Sequence, residues 1–241
     1  MSQVPVQSKF TRGVPVGNLA QSFAVKPTDG NTVVVVAFTN KGGGVAINYV
    51  EDDLGTLTLR AQINSGDNRL EIWVREDVSY SSNPSFNIDL AASGSLIDSI
   101  IIEIPGTLTG GGAFDVATTN TGTSGTPNTG ATATLAQADN IFIAAFCDNT
   151  GLDDPITPSG MTLIAKDEDG TTTMAFSVDY KIVSSTAAVT GSWSKDSGTP
   201  TWIAAGIILK AAASSAPAIT DVDPSAFGAG ETGIVVTGSN F

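Results

Sequence analysis

Asn31-Thr32-Val33-Val34-Val35-Val36-Ala37-Phe38-Thr39-Asn40 and Asn140-Ile141-Phe142-Ile143-Ala144-Ala145-Phe146-Cys147-Asp148-Asn149 decide the fold. Both are apolar runs of strand length, and a turn precedes each, Asp29-Gly30 in one case and Ala138-Asp139 in the other. They lie 109 residues apart (31 to 140), which reads as an internal repeat.

The match extends outward from these runs. An acidic turn follows each, Glu51-Asp52-Asp53-Leu54-Gly55 and Asp167-Glu168-Asp169-Gly170, and then Leu57-Thr58-Leu59-Arg60 and Thr171-Thr172-Thr173-Met174. Glu71–Val78 aligns with Ala175–Ile182 at an offset of 104 (71 to 175), and Leu96–Ile104 with Trp202–Lys210 at 106 (96 to 202). Order is kept while the offset drifts, as loop insertions and deletions in a duplicated unit would produce. Ile72, Val74 and Val78 fall on one face and Glu71, Arg75 and Asp77 on the other, with Trp73 breaking the pattern. Gln21–Val25 is a weaker strand. Prolines cluster with turn residues, and no segment carries a capped apolar stripe at helical spacing. Between the halves, Thr107–Gly130 is polar and Gly-rich; Ala113–Ala117 reads as a strand followed by a long surface loop.

The fold class is therefore all-β, an antiparallel β-sandwich of two related halves, about 15–106 and 113–212. Val33, Val35, Phe38, Ile101, Ile141, Ile143, Phe146, Ile207 and Leu209 are the expected core. The chain is long enough for such a sandwich, with 241 residues, 26 of them Gly and only 15% charged. Its 24 acidic and 11 basic residues give a net charge of −13, which repels a polyanion, so nucleic acid is not an expected partner. No apolar run approaches the roughly 18 residues of a membrane span, and Met1–Gly17 has no apolar core of a secretory signal. The single cysteine, Cys147, excludes an intrachain disulfide, agrees with folding in a reducing compartment, and reads as a small core thiol.

These patterns resemble a jelly-roll type sandwich found in phage structural proteins and some bacterial surface proteins, carried by Asn31–Phe38, Asp53–Thr58 and Ile72–Val78, and by Asn140–Phe146, Asp169–Thr173 and Phe176–Val183. The C-terminus resembles the opening of an IPT/TIG immunoglobulin-like domain, through Pro217, Ile219, Val222, Pro224, Gly228, Gly230, Val236, Gly238, Asn240 and Phe241. Residues 217–241 would supply about two strands where an Ig-like sandwich has roughly seven, with 213–216 as a hinge. The resemblance implies a non-enzymatic virion protein, displayed outside a bacteriophage particle as a capsid decoration, fibre or spike component. Its partners would be capsid or tail proteins and further copies of itself. The alternative is a carbohydrate-binding or adhesin module of a bacterial surface protein.

No catalytic residue is expected. The chain contains no histidine, so the usual general base and commonest metal ligand are missing. Neither Gly42-Gly43-Gly44 nor Gly110-Gly111-Gly112 continues as a phosphate loop. The carboxylates at 51–53, 153–154 and 167–169 sit in turns, where Asp serves the backbone. A structural calcium ion would have to sit there, but Asp167-Glu168-Asp169-Gly170 does not open an EF-hand loop; no cofactor is expected. Trp73 and Trp202 read as core, whereas Trp193, among Gly191, Ser192, Ser194 and Lys195, is the candidate for stacking on a host-surface glycan. Ahead of the sandwich, 1–14 is set apart as an N-terminal arm, and Ser2–Gly17 reads as an extended segment docking on a partner's sheet edge, with Phe10, Val14 and Val16 as apolar anchors and Lys9 and Arg12 as charged ones, against the default of a frayed terminus at 1–14.

Overall fold

The computed structural model describes residues 3–15, 17–40, 45–93, 96–148, 157–158, 160–168, 175–194, 199, 201–212, 218–222 and 236–239. Strands account for the regular structure, and no helix occurs among the described residues. The chain divides into two compact units, Ser2–Ala212 and Ala213–Phe241. In the second, β17 (Ala218–Val222) pairs antiparallel with β18 (Val236–Ser239); the hinge at 213–216 lies outside the described residues.

The first half of the larger unit contains β1 (Gln7–Gly13), β2 (Asn18–Gln21), β3 (Thr32–Asn40), β4 (Ile47–Asp52), β5 (Gly55–Thr56), β6 (Thr58–Ser65), β7 (Asn68–Arg75), β8 (Phe86–Leu90) and β9 (Leu96–Ile104). They form a five-stranded sheet, β1-β9-β3-β7-β6, and a four-stranded one, β2-β8-β4-β5. The chain crosses repeatedly between the two sheets, the jelly-roll plan. The second half contains β10 (Phe114–Thr123), β11 (Asn140–Asp148), β12 (Thr157–Pro158), β13 (Thr162–Glu168), β14 (Ala175–Val183), β15 (Trp193–Ser194) and β16 (Thr201–Lys210). Its large sheet runs β10-β16-β11-β14-β13, the same order strand for strand. Its small sheet shrinks to β12-β15, extended by two segments side by side: Thr129, Thr132 and Leu135 donate backbone N–H groups to Gly191, Val189 and Thr186.

The pairing corrects two of the sequence offsets. Val36 pairs with Ile72 and Ile100, and its counterpart Ala145 with Val178 and Ala205. The offset of 109 for the third strand thus holds, and Gly30 and Asp139, just before the two runs, both adopt a left-handed φ (85° and 59°). The other two offsets become 106 (72 to 178) rather than 104, and 105 (100 to 205) rather than 106. The second is an error of face, since an odd slip turns every side chain over: Ile97 faces the small sheet while Ile203, its supposed partner, faces the opposite half. Residues 171–174, expected to match Leu57–Arg60, lie outside the described residues. Thr162-Leu163-Ile164-Ala165 stands where Thr58-Leu59-Arg60-Ala61 does, and both edge strands carry a bulge there, between Leu59 and Ala61 and between Leu163 and Ala165.

The two large sheets pack face to face through one cluster to which each half gives ten buried side chains among the described residues, including Val34, Val36, Phe38 and Ile72 from one and Ile143, Phe176, Ile207 and Leu209 from the other. Phe38 and Phe176 stack across it, ring centroids 6.4 Å apart. All nine expected core residues are fully buried. Each large sheet is also covered on its outer face. Val33, Val35, Trp73 and Ile101 pack under the small sheet of the first half, and Phe142, Phe146 and Ile208 under the covering segments of the second, from which Trp193 joins the same cluster. This explains Trp73: its "polar" face is a second core, where buried Glu71 accepts a hydrogen bond from the indole N–H (2.8 Å) and from Arg69. Val78 belongs to that second cluster, because the strand ends at Arg75 and Asp77 takes φ 55°. Phe142 lies across Gly206 of the neighbouring strand, where a Cβ would run into the ring. Residues 22–25 are not strand: Phe23 is buried and Val25 exposed. The strand expected at 113–117 runs on to Thr123, its threonines suited to an edge.

The N-terminal arm is likewise corrected. Residues 7–13 are β1, paired residue for residue with β9 from Gln7↔Glu103 to Gly13↔Ile97. The sheet edge on which the arm docks is its own. Phe10 packs against the central cluster, 6.2 Å from Phe176 between ring centroids. Arg12 donates through Nε and Nη2 to the buried Asp98 (2.7 and 2.8 Å) and bridges to Asp167 of β13 (2.8 Å). Removing Arg12 leaves Asp98 buried without that cation, which costs about 3–5 kcal/mol. Arg12→Ala is therefore expected to lower the melting temperature by on the order of 10 °C, measured by circular dichroism, while Val14→Ala leaves it unchanged. Equal melting of both variants would contradict the assignment of β1 to the core sheet.

Candidate functional site

The acidic turn at 51–55 is a clasp. Asp52 is buried and accepts hydrogen bonds from Arg75 (Nε 2.9 Å, Nη2 2.8 Å), the Tyr80 hydroxyl (2.6 Å) and the Leu54 N–H (2.8 Å). Burial, with the Asp52 carboxylate beside it, raises the Tyr80 pKa. Asp167 is taken by Arg12; residues 153, 154, 169 and 170 lie outside the described residues. No three metal-ligating side chains gather among the described residues. Glu103 is similarly engaged, with the Asn31 amide (2.5 Å), the Gln7 amide (2.5 Å) and the Thr28 N–H (2.8 Å). Cys147 is fully buried, and burial pushes its thiol pKa well up, the opposite of a nucleophile.

Trp193 does not offer a stacking surface. It is 2% exposed, tilted against Phe146 (centroids 5.5 Å apart), and donates its indole N–H to Asp179 (2.7 Å). Its polar neighbours belong to the segment covering the second sheet, so polarity there marks a lid and not a free surface. Trp73 and Trp202 are buried as expected. Of the arm residues, Phe10 and Arg12 belong to the fold, Val14 is 61% exposed, and Val16 lies outside the described residues.

What the surface offers is a groove of about 300 Å³ at the open edge between the large sheets, lined by Pro5–Ser8 of the N-terminal segment and β1, Thr162–Ile164 of β13, and Tyr180 of β14. Val4, Val6, Leu163 and Ile182 are exposed apolar residues of the same strands and the segment before β1. None was singled out from sequence; the signal lay in the repeated Thr-Leu-x-Ala at 58–61 and 162–165. No family model matches the chain, and neither a curated protein nor a solved structure does.

Among the described residues, Asp179 is a strongly perturbed carboxylate whose pKa lies in the physiological range. Burial raises it from about 3.8 to about 6, against the opposing effect of hydrogen bonds from Trp193 and Ser177 (2.7 Å each). Its Oδ1 is buried without a hydrogen-bond partner. The fold thus favours the protonated form: the stabilisation is complete below pH 3.8 and lost as pH rises through about 6, some 3 kcal/mol in all. Asp179→Asn keeps an acceptor but cannot ionise. The stability of the variant minus that of the wild type, from urea melts, should rise by about 2–2.5 kcal/mol between pH 4 and pH 7.5; a difference flat in pH would refute the titration.

Proposed function

We propose that this chain is a non-enzymatic structural protein, displayed on the outside of a bacteriophage particle as a capsid decoration, fibre or spike component, with capsid or tail proteins and further copies of itself as partners. The observation that carries the reading is where its buried acids are spent. Asp52, Glu71, Asp98, Glu103 and Asp179 each accept hydrogen bonds from side chains or backbone of the fold itself. Groups that could have done acid–base work hold sheets and turns together instead. The jelly-roll plan is shared by viral capsid and lectin domains, an analogy at the level of fold. The buried Cys147 suits a protein that folds in a reducing compartment. The carbohydrate-binding alternative has lost its aromatic platform with Trp193. In this reading, β17 and β18 open an Ig-like module of the IPT/TIG kind.

Mass spectrometry of salt-washed, nuclease-treated particles from the strain that carries the gene should detect the chain at structural stoichiometry, and gold-labelled antibody should decorate intact particles. Its absence from purified particles would falsify the virion reading.

A further inference from the structure

Each half buries a carboxylate–indole pair on the outer face of its large sheet, and the two pairs are built differently. In the first half both partners belong to one strand. Glu71 of β7 accepts the indole N–H of Trp73 (2.8 Å), and Arg69 of the same strand supplies a cation. The registers place Ala175, Ser177 and Asp179 of β14 at the positions of Arg69, Glu71 and Trp73, the offset of 106 that takes 72 to 178. The acid thus stands two residues further on, alanine occupies the place of the arginine, and the indole comes from another layer. Trp193 of the cover donates to Asp179 (2.7 Å), as does Ser177 beneath it (2.7 Å).

Asp179 is fully buried between two neutral donors, and its Oδ1 has no partner. The cover brings no charge to it, because 127–135, 186–194 and β12 contain no charged residue. On the sheet, the registers put Asp148 of β11, Lys166 and Glu168 of β13 and Lys181 of β14 on the same face. Asp148 is buried and the two lysines are exposed. Among the described residues, Asp179 takes its hydrogen bonds from Trp193 and Ser177 alone. A buried ion without a cation is costly, so ionisation favours any state that lets water reach the carboxylate.

Two routes lead there: lifting the cover, or unpairing β14. The segment 186–194 is held to 127–135 by the backbone N–H groups of Thr129, Thr132, Leu135 and Trp193, and by the hydroxyls of Thr132 and Thr129, which accept from Val189 and Gly191 (3.0 Å each). It lies directly beside the acid. A Cβ on Gly191 would stand 3.0 Å from that of Ala144, and Ala144 is the cross-strand partner of Asp179. β14 is bonded to β11 from Asn140↔Val183 to Asp148↔Ala175, and to β13 on its other edge. Lifting the cover breaks a few bonds, whereas unpairing β14 dismantles the sheet, so the cover is the unit that opens first.

We propose that Asp179 is an acid-operated latch: protonated, it holds the segment 186–194 down through Trp193; ionised, it favours lifting of that segment while the large sheets stay paired. The surface beneath is apolar, Phe142 and Phe146, so the latch governs access to a hydrophobic face. The first half has no such device, because there acid, indole and cation share one strand. The latch rests on the geometry of the cover and not on where the chain is displayed.

Hydrogen–deuterium exchange on the full chain, corrected for the intrinsic rate at each pH, tests it. The amides of 127–135 and 186–194 should exchange faster than those of β11 and β16 at both pH 4 and pH 7.5, because they exchange through a local opening. Their protection should fall about fifty-fold from pH 4 to pH 7.5, as follows from a carboxyl that titrates near 6 under the cover and near 3.8 in water. Asp179→Asn cannot ionise and should abolish that fall. Covering amides that exchange at the rate of β11 and β16 would show that the opening is global and overturn the latch, a comparison that the wild type alone provides. Protection indifferent to pH, or a fall that survives Asp179→Asn, overturns it equally.

Discussion

Everything in the larger unit follows from two sheets that are apolar on both faces. Val33 to Phe38 and Ile141 to Cys147 have no solvent-facing side: alternate residues face the opposite half, and those between face a cover. Each fully buried Val, Ile or Phe contributes about 1.5–3 kcal/mol, so neither sheet can leave a face to water. Packing the large sheets on each other satisfies one face of each. The other demands a second layer, which the first half builds as a four-stranded sheet and the second as a reduced one of short strands and hydrogen-bonded loops. The two halves share the strand order of the sheets that meet, and differ in the covers.

Polar groups inside such layers must find partners within them. Glu71 shows the cost: burial raises its pKa, and Arg69, Trp73 and a backbone N–H oppose that rise. Paired acids of this kind are weak evidence for stability, because desolvation offsets much of the attraction. They serve better as registration marks. Arg12 meets Asp98 only if β1 pairs with β9 in one register, and Arg75 meets Asp52 only if the acidic hairpin folds over the large sheet.

The same physics decides what could be read from the sequence. Strand identity and core membership were legible wherever apolar residues ran continuously, as at Val33–Phe38, because burial leaves a composition signal. Register was less so, since apolar runs look alike when slipped by one residue, and Ile97 was matched to the wrong face. β1 reads as a free arm because an edge strand needs few apolar residues; Phe10 alone marks its inner face. Trp193 misleads for a related reason: a covering segment is polar outside, and one inward indole does not change its average. The groove rests on a comparison between halves, so it became visible only when pairing aligned Thr58–Ala61 with Thr162–Ala165.

The strand order also governs how the chain reaches this state. In each half the last strand to be synthesised lies inside the large sheet: β9 between β1 and β3, β16 between β10 and β11. Until it emerges, the first and third strands have no neighbour to join them. At roughly 5–20 residues per second, a half of about a hundred residues leaves the apolar edge of β3 or β11 open for seconds on the ribosome. Ordering by such distant pairings is slow. A nascent chain stalled before Leu96 would present Val33–Phe38 as a template for another chain, so the chain is most open to mispairing in the interval before each closing strand appears.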